Sequence, residues 1–135
     1  MKERIAYAEG YKYQLCADYL VQTGIKGHCV ADAFYCLTTD GRLQINRGYA
    51  WDGPSGPTFD TKNFMRGSLV HDVLYQMMRE EQLPQDCFHA ANDELRRICL
   101  EDGMSRLRAW WVWRAVERFG TASAAVQPEK ITFAP

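Results

Sequence analysis

The sequence has no hydrophobic run approaching the roughly 20 residues of a membrane-spanning helix, because Arg, Lys, Asp or Glu interrupts every apolar stretch. Nor does the opening MKERIAYAEG carry the apolar segment of a secretory signal. The expectation is a protein that stays in the cytoplasm unless something other than a signal peptide delivers it elsewhere. Cysteine pairing signals are missing too: Cys16, Cys29, Cys36, Cys87 and Cys99 are an odd number with no Cys-x-x-Cys, which fits free thiols in a reducing compartment better than a disulfide framework. There is no excess of charge of one sign. Lys and Arg total 16 against 17 Asp and Glu, interspersed along the chain, so no overall field draws in nucleic acid, and no nucleic-acid partner is expected. Internal repeats and low-complexity segments are absent as well.

What is present suffices for one core. A chain of 135 residues, 47% of them hydrophobic, can bury a domain without metal or disulfide staples. Residues 11–22 and 33–45 are rich in aromatic and β-branched residues, and Asp40-Gly41 divides the second stretch as a hairpin turn would. Gly53-Pro54-Ser55-Gly56-Pro57 then excludes regular structure and forces a shaped loop. From Phe64 to about Arg79, Met65, Leu69, Val70, Val73, Leu74, Met77 and Met78 recur at helical spacing, leaving a polar face of Ser68, His71, Asp72 and Tyr75. A second helix, with Asp86 as its candidate cap, has a core stripe of Phe88, Ala91, Leu95, Ile98 and Cys99, with Asp93 beside His89 and Arg96 off that stripe. A third runs from about Ser105 to Phe119 and stops at Gly120; its Trp110, Trp111 and Trp113 cannot share one apolar stripe. The expected fold is α+β: an N-terminal antiparallel sheet, the loop, and three helices, the first two antiparallel. Residues 1–120 form the domain and 121–135 an arm.

His71, Asp72 and Tyr75 project from one side of an otherwise apolar helix. A short connector sends the second helix back, which brings Asp93 within plausible reach of His71. A carboxylate on one imidazole nitrogen would fix the tautomer and leave the other nitrogen to take a proton from water. Asp72 and Asp52, with carbonyls of the glycine-rich loop, are oxygen donors of the kind calcium needs. The bland reading is that the His-Asp pair is a satisfied polar contact between helices. The tryptophans fit core, a subunit interface or a lipid interface. Cys87 and Cys99 read as small buried apolar residues, and His28 and His89 as structural.

Residues 48–120 resemble a domain-of-unknown-function family widespread in tailed phages and prophages. The resemblance rests on Gly48-Tyr49, the loop Asp52-Gly53-Pro54-Ser55-Gly56-Pro57, the helix His71-Asp72-Val73-Leu74-Tyr75, then Asn92-Asp93 and Phe119-Gly120 in that order. His89 stands where that family has arginine, and Asn92 where it has alanine. The loop and helix pair are also similar to the core of the calcium-dependent secretory phospholipases A2. That resemblance implies His71 as the base, Asp93 orienting it, Tyr75 bonded to Asp93, and Asp72 with Asp52, Gly53 and Ser55 holding calcium, on a phospholipid or membrane substrate. The cysteines that staple those helices are absent; Val70 and Leu74 stand near their positions.

Three functions compete. One is a calcium-dependent lipid-ester hydrolase. Another is a different metal-dependent hydrolase, either of HD phosphohydrolase type, which needs an upstream histidine that only His28 could supply, or with a zinc-like set of His71, Asp72, His89 and Asp93. The third is a non-catalytic virion or assembly protein, in which the polar cluster ties helices together and Trp110, Trp111 and Trp113 serve contact with phage structural proteins or self-association.

Overall fold

A computed structural model describes residues 7–8, 13–51 and 62–125. Among the described residues, seven short strands precede the helices. Strands β1 (Tyr7–Ala8), β2 (Tyr13–Leu15) and β7 (Ala50–Trp51) form one antiparallel sheet in the order β1-β2-β7. Strands β3 (Tyr19–Gln22), β4 (Val30–Ala31), β5 (Tyr35–Leu37) and β6 (Arg42–Ile45) form a second, in the order β3-β6-β5-β4. In β3 the burial alternates strictly, Tyr19 and Val21 in, Leu20 and Gln22 out, as the two-residue period of a half-buried strand demands. The expected hairpin joins β5 to β6. Its turn closes with Gly41 N–H on Thr38 O at 3.0 Å, and Gly41, at φ +90°, takes a backbone that a side chain would strain.

Helix α1 (Lys62–Arg79) is buried along almost its whole length, which is why its apolar residues cover most of its circumference. The two sheets cover one side. Interior aromatics of the sheets and of the turn before β7 carry polar tips matched on or just beyond α1: Trp51 Nε1 donates to Ser68 Oγ (3.2 Å), Tyr49 Oη to Gln76 Oε1 (2.7 Å), and the single Tyr35 hydroxyl proton is shared between Glu80 Oε2 (2.9 Å) and Gln82 Oε1 (2.6 Å). Helix α2 (Phe88–Glu101) covers the other side and runs antiparallel to α1, since Arg66 near the start of α1 meets Glu101 at the end of α2, while Tyr75 stacks on Phe88 at its start. Gly67 lets the pair approach closely; a Cβ there would lie 2.9 Å from Cys99 Sγ and 3.3 Å from Leu95 O.

Helix α3 (Arg106–Phe119) packs on α2 through Ala109 and Val112, with Ser105 capping its start by accepting from Arg108 N–H. Asp86 does not cap α2: it sits inside a 3-10 turn, Gln85–Cys87, so the chain is already winding when α2 begins. Gly120 is not a left-handed stop either. Its φ of −76° lets the chain continue into the short helix α4 (Thr121–Ala124), and Ala124 lies fully inside the core, its carbonyl accepting from Gln85 Nε2 at 2.9 Å. The packed body therefore extends past 120.

Candidate functional site

His71 sits on α1 where α2 crosses it, and is 7% exposed. Its Nε2 lies 2.8 Å from Asn92 Oδ1, and Tyr75 Oη donates to the same oxygen at 2.6 Å. An amide oxygen only accepts, so Nε2 carries the proton and Nδ1 is the basic nitrogen. The imidazole and phenol rings are also in contact, centroids 3.9 Å apart and their planes tilted by 46°. Burial lowers the pKa of His71 to about 4; the bond to Asn92 opposes the shift without cancelling it. Burial pushes the Tyr75 phenol upward, so it remains a donor. Asn92 itself is wholly buried, and among the described residues its Nδ2 is the one buried side-chain nitrogen or oxygen with no hydrogen-bond partner.

The partner expected for His71 was Asp93. The structure brings Asn92 there instead, and Asp93, exposed on α2, accepts from Trp113 Nε1 of α3 at 2.9 Å. Helical geometry explains the exchange. At 100° per residue Asn92 lies only about 40° from Phe88, inside the core stripe, whereas Asp93 lies about 140° away. The signal was in the sequence: a polar residue four after Phe88 and three before Leu95 has to find a polar partner inside the core.

Asp72 is half-buried, and its charge is felt by Tyr49 and Tyr75, whose phenols it helps to hold neutral. Asp52, Gly53 and Ser55, the other expected calcium donors, lie outside the described residues, as do Pro54, Gly56 and Pro57. They follow in sequence on Trp51, the last residue of β7, whose indole donates to Ser68 one turn before His71 and Asp72. Among the described residues no three of His, Cys, Asp and Glu are arranged to hold a metal. The zinc-like set is not assembled: His89 Nδ1 pairs with Glu117 at 2.6 Å, and Asp93 with Trp113. His28, the upstream histidine of the phosphohydrolase alternative, lies against Cys87 instead, Nε2 to Sγ 3.7 Å. Burial raises the Cys87 thiol, so that pair holds a protonated thiol and no ready nucleophile.

The cluster is tied to a third helix. Gly120, where α3 ends, lies against Tyr75: a Cβ on it would stand 2.3 Å from Tyr75 Oη. Nothing in the sequence distinguished this close approach from a helix stop. Of the three tryptophans, Trp113 turns inward to Asp93 under the guanidinium of Arg96, while Trp110 and Trp111 lie outside. Compared with protein-family models, characterised proteins and solved structures, the chain matches none. No helix among the described residues is long and apolar enough to cross a membrane.

Proposed function

We propose that this is a non-catalytic binding domain, working as a virion or assembly component, in which His71, Asn92 and Tyr75 pin α1 to α2 and to the end of α3. The resemblance of residues 48–120 to the phage family supplies that setting. One observation carries the reading: His71 is buried, neutral, with a pKa near 4, and held by an amide. A general base works best with a pKa near the working pH, and an amide cannot stabilise the imidazolium of a proton-transfer step as a carboxylate would. Two hydrogen bonds to one buried oxygen contribute about 1 kcal/mol each to stability, which is the effect expected of a pin.

A lipid-ester hydrolase of phospholipase A2 type is the second reading, and a specific observation favours it. Asn92 Oδ1 fixes the imidazole by the same logic that lets asparagine orient the histidine of cysteine proteases. Asp72 and the loop leaving Trp51 would then supply the calcium ligands, and the cation would stabilise the oxyanion of the attacked ester. The experiment pairs fatty-acid release from mixed phospholipid vesicles, with calcium and with chelator, with thermal unfolding. The binding reading expects no release, and a loss of about 2–3 kcal/mol in His71→Ala, from imidazole packing and the broken bond. Calcium-dependent release that vanishes in a fully stable His71→Ala protein, and rises in Asn92→Asp, would replace it with the hydrolase.

A further inference from the structure

The geometry of α3 points to a partner for the binding reading: we propose that its outer face docks on an anionic lipid bilayer. The inference names the ligand of that domain and so rests on it. Ala109, Val112 and Val116 face α2, which accounts for one apolar stripe. On the opposite side Leu107, Trp110, Trp111, Arg114 and Arg118 all fall within about 60° of a common line. Leu107 is 70% exposed, Trp111 61% and Trp110 37%, and Phe119, at the end of the same helix, is 73% exposed. A helix apolar on two opposite sides has core on only one of them. Large exposed aromatics grouped on a short helix, rather than scattered, mark a contact surface.

The charge on that surface selects the partner. Although the whole chain carries a net −1, the charges on that line are both cationic, Arg114 and Arg118, and Glu117, the one acid of α3, is engaged by His89 Nδ1. Arg114 lies over the Trp110 ring, 5.5 Å from its centroid, and Arg118 over Phe119, at 5.4 Å. The cations therefore sit among the rings instead of around a separate rim. Leucine and tryptophan would enter the boundary between headgroups and acyl chains, while the guanidinium groups meet lipid phosphate. A helix of 14 residues is about 21 Å long, which suits lying in the plane of the interface and is too short to cross it. A nucleic-acid partner would use the arginines but leave Leu107 without a role.

The test is flotation of the full-length protein with equimolar phosphatidylcholine and phosphatidylglycerol vesicles, and with phosphatidylcholine alone. The protein is expected to float with the anionic vesicles, with tryptophan emission quenched by lipids brominated in the acyl chains. Partitioning should fall at least about tenfold on neutral vesicles, in high salt, and in Arg114→Glu with Arg118→Glu, because each cation contributes about fivefold near an anionic surface. Leu107→Ser with Trp111→Ser should also abolish it at unchanged melting temperature. The proposal is overturned by absence of flotation and of quenching in the wild type, by flotation indifferent to those changes, or by binding to a single-stranded oligonucleotide and not to vesicles. A dimer that dissociates in Leu107→Ser with Trp111→Ser would overturn it as well, because a second copy would then cover the face. Fatty-acid release and the His71→Ala melt test the function above independently, so the two ideas fail separately.

Discussion

Replacing Gly120 with alanine separates two accounts of why a glycine stands there. Gly120 has φ −76° and ψ −14°, ordinary right-handed backbone, so local propensity alone makes Gly120→Ala stabilising by about 0.5–1 kcal/mol. Packing gives the opposite sign. The added methyl would lie 2.3 Å from Tyr75 Oη and 2.5 Å from Val116 O. Tyr75 cannot swing aside freely, since its hydroxyl is held by Asn92 and its ring lies between His71 and Phe88. Overpacking of this kind costs about 1–3 kcal/mol, and displacing the Tyr75 hydrogen bond adds about 1 kcal/mol. The expected net effect is destabilisation by about 1–3 kcal/mol, which in a domain of this size lowers the melting temperature by roughly 3–12 °C. Urea unfolding measures it directly. Tyr75→Phe removes the clashing oxygen, so the double variant should lose less than the sum of the two single losses. A neutral or stabilising Gly120→Ala, or strict additivity with Tyr75→Phe, would refute the close approach.

Stability should depend on pH through His71. Its pKa is about 4 when folded and 6.5 when free, so between those values the unfolded chain takes up a proton that the folded one refuses. Stability is therefore full above about pH 6.5 and falls as the pH drops towards 4, by up to about 3 kcal/mol. Urea titrations at several pH values should show that slope in the wild type and a flatter one in His71→Gln; equal slopes would contradict the burial argument. Arg66 is buried at the other end of the helix pair, bonded to Tyr19 Oη (2.9 Å), Glu101 (2.8 Å) and Asp102 (3.1 Å). Arg66→Met should cost about 2–4 kcal/mol, less than a fully enclosed ion pair because Glu101 is partly solvated; a loss under about 1 kcal/mol in urea unfolding would show that the cluster relaxes into water.

The α+β architecture was legible because its signals are periodic. Asp40-Gly41, the apolar spacing of residues 64–78, and the span of the third helix from about Ser105 to Phe119 each follow from local pattern without reference to distant chain. What failed to read through were features set by partners. Asp93 looked like the orienting group because carboxylates orient imidazoles, yet the position relative to Phe88 and Leu95 decides the matter, and it puts Asn92 inside. Gly120 looked like a stop because glycine commonly ends helices, and only the packed structure shows Tyr75 beside it. Likewise the three tryptophans were known not to share a stripe. Which one turned inward depended on Asp93 being available as an acceptor on α2.

These misread positions belong to one arrangement. Asn92 holds His71 and Tyr75, Tyr75 abuts Gly120, and Asp93, the next residue on α2, holds Trp113. Adjacent residues of α2 therefore fix α3 at two heights: Asp93 through Trp113 at its middle, and Asn92 through Tyr75 at its end. Two fixed points along a 14-residue helix set both its tilt and its rotation about its own axis. The rotation matters most, because a turn of about 100°, one residue's worth, would carry Trp111 round towards the core and take Leu107 off the exposed line. A buried polar cluster is thus well placed to specify one orientation of an exposed apolar face that hydrophobic burial alone would draw inward.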